Sequence, residues 1–137
     1  MNQVVLNKKV SIERCVVQAR KYYAMERELP FEEDHLKQDA VALNVQRACE
    51  LCIDVANHLI KTRKLGLPED SKDSFSLLQR AGLIDEAMTA ALRAMVGFRN
   101  VLVHQYQILD LDIMVEVVEK RLDDLLVFAN VALAASD

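Results

Sequence analysis

From Asp34 to Lys64 the chain runs without a glycine or a proline. Pro30 closes off the segment before it, because a proline disfavours a helical residue ahead of it. Leu65-Gly66-Leu67-Pro68 stops the run on the other side. Asp34 stands where a side-chain carboxylate can cap the first turn. The stretch is therefore predicted to be one helix about 45 Å long, the longest element of the chain. Its apolar positions cover more than one face: Leu36, Val41, Leu43, Val45, Cys49, Leu51, Cys52, Ile53, Ala56, Leu59 and Ile60. A helix with that girth is buried on more than one side. A partner chain would satisfy it, and so would a central position among the chain's own helices.

The rest of the sequence adds helices around this one. A first helix is expected from Val4 to Glu28, with Val10, Cys15, Val16, Ala19, Tyr22 and Tyr23 at helical spacing. A short third, capped by Ser71 or Asp73, ends near Ala81 with Gly82 as its C-cap. A fourth starts at Asp85 and reaches Phe98 or Val103. A fifth runs from Leu109-Asp110 to about Ala134. Only 3 glycines and 2 prolines serve all 137 residues, too few for the turns of a sandwich or barrel. With 52% hydrophobic and 28% charged residues, the expectation is one folded all-α domain over residues 1–137. Its architecture would be an up-down bundle of about five helices. No stretch approaches the ~20 apolar residues of a membrane span, and the first residues lack an apolar signal core. Three cysteines, an odd number, suit reduced thiols in a cytoplasm.

The net charge of −4 argues against a broad basic nucleic-acid coat. Within that acidic background, Ala87 to Leu109 holds Arg93 and Arg99 and no acid at all. The segment Arg99-Asn100-Val101-Leu102-Val103-His104-Gln105-Tyr106 lies inside this positive island. On a helix, Asn100 and His104 are neighbours one turn apart and could hydrogen-bond. Tyr106 would return to within ~20° of Arg99 if the helix persisted, whereas Arg99 and His104 lie ~140° apart. That pair can share one small target only if the helix kinks near His104 or a second copy of the chain completes the site.

An arginine with a histidine suits phosphodiester chemistry. The guanidinium offers a rigid donor fork that stays charged, and imidazole exchanges protons near neutral pH. His104 could deprotonate a ribose 2′-hydroxyl or protonate the leaving 5′-oxygen, with Arg99 stabilising charge on phosphorus. RNA could be cut this way without a metal or other cofactor, and DNA, lacking the 2′-hydroxyl, could not.

Arg99-Asn100-x-x-x-His104 is similar to the R-x4–6-H motif of HEPN ribonucleases, in its R-N-x-x-x-H form. His104-Gln105-Tyr106 resembles the H-x-Y extension of HepT-type toxins. Gln46 to His58 resembles the long second helix of that family, and Leu67 to Phe75 its following loop and short helix. The resemblance implies a homodimer with a composite active site at the dimer cleft. It implies an endoribonuclease toxin of a type VII toxin–antitoxin system, with Arg99 and His104 catalytic and Asn100 supporting. It also implies a small nucleotidyltransferase antitoxin that adds AMP to Tyr106. The alternative from a different class is a non-catalytic helical subunit that binds a nucleotide or positions substrate for a nucleotidyltransferase.

Other residues read more simply. Cys49-x-x-Cys52 is an i, i+3 pair on a buried face, with no second pair to complete a metal site. His35 reads as a solvated loop residue. Arg47, Glu50, Asp54, Asn57, His58 and Lys61 form a polar row that reads as a solvated stripe, or as a wall of a nucleic-acid groove with Asp54 or His58 behind the catalytic pair. Tyr22 and Tyr23 pack the first helix or stack on bases. Asp123 and Asp124 point ~100° apart and do not converge on a metal.

Overall fold

The computed structural model describes residues 2–136. Asp34 does cap the long helix: its side chain accepts from the Lys37 amide, and α2 spans His35–Arg63. Lys64, at φ 55°, ends it in the left-handed conformation. Ahead of it, α1 spans Gln3–Ala24 and ends four residues short of the expected Glu28. Met25 turns extended, and the freed segment brings Arg27 back onto Asp34. A single 3₁₀ turn, Phe31–Glu33, joins the loop to α2.

Helix α3 spans Ser71–Arg80, and α4 spans Glu86–His104. The cap of α3 is Asp70, whose carboxylate accepts from the Asp73 amide, so neither Ser71 nor Asp73 fills that role. Gly82 sits at φ 77°, a conformation that costs glycine little, and Asp85 caps α4 as expected. The expected single last helix is divided. Helix α5 (Leu111–Glu116) continues through a widened π-type stretch, Val117–Arg121, into α6 (Leu122–Ala135). No strand occurs among the described residues.

The long helices alternate in direction. Lys8 reaches Asp54 and Arg27 reaches Asp34, so α1 runs antiparallel to α2. Arg20 pairs with Asp123 at 2.7 Å, and the Tyr23 hydroxyl donates to Glu119 at 2.6 Å, which sets α1 antiparallel to the α5–α6 arm. Ser71 with Arg99 and Ser76 with Arg93 set α3 against α4. Both ends of the described chain are tied to the far end of α2: Asn2 to His58, and the Ala135 carbonyl to Arg63.

Helix α2 is the central element, packed on α1, α3, α4 and α6. The central arrangement therefore accounts for most of its apolar girth: Val41, Val45, Val55 and Ala56 are fully buried. Leu36 and Leu43 stay 67% and 43% exposed, an apolar surplus the chain's own helices do not cover. Phe75 of α3 and Phe128 of α6 meet edge to face at 5.4 Å in the core below the α3–α4 pair. That packing holds α3, and with it Ser71 and Lys72, in fixed register beside Arg99.

Candidate active site

Arg99 lies on α4 with its side chain 17% exposed. One guanidinium nitrogen donates to the Ser71 hydroxyl at 3.3 Å, and the other stands 3.9 Å from the Glu50 carboxylate. The Nε is buried and has no partner. An unpartnered buried donor is costly. Arg99 lines a recess of about 350 Å³ together with Asp70, Ser71, Lys72, Val96 and Asn100.

Lys72 adds a second cation to that recess. Its ammonium lies over Gly97, 3.4 Å from where a Cβ would stand there. It forms no ion pair among the described residues. Two cations side by side beneath the first turn of α3 form a cradle for a phosphate. Sequence reasoning named Ser71 only as a cap and did not single out Lys72. The one signal was the position of Lys72 at the start of a short helix. Glu50, one member of the polar row, proves to be the residue that meets Arg99. Asp54 and His58 instead turn to α1, through Lys8 and Asn2, and do not stand behind Arg99 and His104.

His104 is the last residue of α4 and is exposed. It is not part of the Arg99 recess. The helix runs unbroken to it, and no side-chain hydrogen bond joins it to Asn100 among the described residues. Helical geometry then stops: Gln105 leaves at φ −139°, ψ 35°, and Tyr106 opens a 3₁₀ turn, Tyr106–Ile108. The expected return of Tyr106 to the Arg99 face therefore does not occur.

Tyr106 is also less free than expected. Its ring is partly buried, and its hydroxyl donates to the Asp39 carboxylate of α2 at 2.9 Å. Desolvation, then that hydrogen bond and the Asp39 charge, push its pKa up to about 12. Arg99 meets α2 at Glu50, eleven positions on from Asp39, a separation of roughly 16 Å along the helix. The two functional side chains thus stand at separate stations on α2. Nothing in the sequence pointed to Asp39, which lies 67 residues from Tyr106.

The remaining candidates are structural. Cys49 and Cys52 are buried and free, and burial pushes the Cys49 thiol up to about 12 and that of Cys52 well above its ordinary value. Both thiols therefore resist the thiolate form that a metal requires. His35 is exposed but opens α2 instead of lying in a loop. Asp123 is an exposed partner of Arg20. Tyr23 stacks edge to face on Phe31 at 5.5 Å. No cluster of three or more metal-ligand side chains occurs among the described residues, and no helix is long and apolar enough to cross a membrane.

The family model for HepT-like ribonucleases matches residues 12–132, which take in α2, the recess and the Arg99–Tyr106 segment. The chain belongs to the HepT-like ribonuclease family. Its similarity to particular HepT-like proteins is close. It is 44% identical over 131 residues to the mRNA nuclease HepT of Shewanella oneidensis, covering 96% of this chain and 97% of that one. Its fold superposes with a TM-score of 0.91 on the HEPN toxin of Shewanella oneidensis, solved tri-AMPylated and in complex with its MNT antitoxin. The two are 43% identical, over 98% of this chain and 99% of that one. A toxin–antitoxin structure with AMP-PNP matches at a TM-score of 0.90 and 42% identity, over 97% and 99% of the two chains.

Proposed function

We propose that this HepT-like chain is a metal-independent endoribonuclease toxin of a type VII toxin–antitoxin system. It works in the cytoplasm, cuts RNA with Arg99 and His104 at a cleft between two copies, and is neutralised when a nucleotidyltransferase antitoxin adds AMP to Tyr106. The observation that carries the reading is the Arg99 side chain, held by Ser71 and Glu50 at a recess that Lys72 also lines. The mRNA nuclease and antitoxin-bound relatives support the substrate and partner.

In this mechanism Arg99 and Lys72 hold the scissile phosphate. Arg99 strengthens its contacts as charge builds on the nonbridging oxygens. His104 takes the 2′-hydroxyl proton or returns one to the departing 5′-oxygen. Since His104 does not face the Arg99 recess of its own chain, the His104 of a second copy fills the role. An adenylyl group on Tyr106 then acts by bulk within the shared cleft. Its phosphate, at ~16 Å along α2, is beyond the ~8 Å screening length at physiological salt from the Arg99 of the same chain.

Cleavage of total RNA in the presence of EDTA tests the reading. His104→Ala should lose about 10²–10⁴-fold in rate. Arg99→Ala should lose activity as well, and Arg99→Lys should restore it only in part, because the fork is gone. Parental cleavage by His104→Ala, or loss of activity on chelation, would show the assignment to be wrong. Inducing the chain in bacteria alone and then beside its genomic neighbour separates a toxin from a non-catalytic subunit.

A further inference from the structure

AMP addition needs a nucleophile at Tyr106, and a phenol whose pKa stands at about 12 keeps its proton at neutral pH. Attack on phosphorus therefore needs a proton acceptor at the phenol oxygen itself. One is already in place. The hydroxyl donates to Asp39 Oδ1 at 2.9 Å, within the reach a general base requires. Asp39 is exposed on α2 and forms no ion pair among the described residues, so its carboxylate is not committed to a cation. Asp39 is also the one charge that bears on the hydroxyl. The nearest titratable side chains in sequence are Lys37, two residues before Asp39 and turned to the Met25 carbonyl, and His104, two residues before the tyrosine; His35 lies one turn earlier on α2.

We propose that Asp39 is the general base for the modification of Tyr106, so that the toxin supplies the proton acceptor for its own inactivation. The inference rests on the modification of Tyr106 set out above. The Tyr106 oxygen forms a bond to the α-phosphorus of a nucleoside triphosphate held by the antitoxin. The bond from that phosphorus to the bridging oxygen breaks, and pyrophosphate leaves with the electron pair. The phenol proton passes to Asp39 and from there to water. Tyr23 and Glu119 form a similar phenol–carboxylate pair at 2.6 Å on another face, which gives an internal control for site mapping.

The test uses the parent chain with Asp39→Asn, Asp39→Glu and Tyr106→Phe variants. Each is incubated with the partner nucleotidyltransferase, ATP and Mg²⁺. Mass gain is followed with time and pH and mapped to peptides. Asparagine keeps an acceptor oxygen and loses the basicity. Asp39→Asn should lower kcat for AMP transfer by ~10²–10⁴-fold, with KM for the toxin chain within a few-fold. Its rate should climb about tenfold per pH unit through neutrality, as the phenolate fraction does, while the parent's stays level. Asp39→Glu should recover part of the rate. Circular dichroism and the thermal midpoint report that the variants are folded. Modification of Asp39→Asn at the parental rate, or a loss that lies wholly in KM, would overturn the base and leave Tyr106 as the target. Equal mass gain on Tyr106→Phe and parent would overturn the target, and the base with it.

Discussion

Asp34 is almost fully buried, and both of its oxygens are engaged. Arg27 donates to them at 2.7 and 3.1 Å, and the Lys37 amide donates at 3.1 Å to close the first turn of α2. The Arg27 hydrogen bond, followed by the Lys37 amide, holds the Asp34 carboxyl below its ordinary range. A carboxyl lowered by folding stabilises the fold above the unfolded value of about 4, and that contribution disappears as pH falls through the folded value. Urea midpoints measured from pH 7 downward should therefore drop in this acid window for the parent. In Asp34→Asn the drop should be shallower, from a lower starting point, and an identical profile would refute the role given to the pair. The cap was legible at this position because an aspartate ahead of an apolar run signals a helix start. Its arginine was not, because Arg27 was assigned to α1 and only the early end of that helix frees it to turn back. The same limit applies to Tyr106: its motif marked it, but its hydroxyl is fixed by a residue on another helix.

At the scale of single elements, α4 carries an interior glycine. Gly97 lacks the side chain that a helix interior favours, at a cost of roughly 0.5–1 kcal/mol relative to alanine. A Cβ there would meet only the flexible end of Lys72, at 3.4 and 3.6 Å. Gly97→Ala should accordingly raise the unfolding free energy by about 0.5–1 kcal/mol in chemical denaturation. A destabilised variant would mean that Lys72 cannot yield. The divisions between the first four helices were readable from the breaks at Pro30, Gly66-Leu67-Pro68 and Gly82. The widened turn at Val117–Arg121 was not. Met114, Val118, Leu122, Leu125 and Ala129 fall at intervals that an unbroken helix would also satisfy. Long-range partners meet it there: Tyr23 on Glu119 and Arg20 on Asp123 tie the widened stretch and the turn after it to α1. The stop at His104 falls one residue past the expected end at Val103, although no glycine or proline lies between Gly97 and Leu111 to announce it.

For the molecule as a whole, the separation of Arg99 from His104 makes a quantitative demand on assembly. If each active cleft draws its arginine from one copy and its histidine from another, two inactive variants can complement. A mixed dimer of Arg99→Ala and His104→Ala chains holds one intact pair out of two. Random pairing makes half the dimers mixed, so an equimolar mixture after subunit exchange should regain about a quarter of parental cleavage. No recovery, or a chain that sediments as a monomer at micromolar concentration while cutting RNA, would exclude a shared cleft. The sequence had left a partner chain and a central α2 equally open. The bundle buries most of α2 by itself, and the exposed Leu36 and Leu43 are what remains for a second copy. The anchoring of both described chain ends also has a practical consequence. Asn2 is tied at His58 and Ala135 at Arg63, about 28 and 36 Å along the α2 axis from Asp39. A dye or surface tether attached at either of those residues would sit at the opposite end of α2 from Tyr106. It would still be near enough for energy transfer to a fluorescent nucleotide at Tyr106, so its arrival could be watched on a single immobilised molecule.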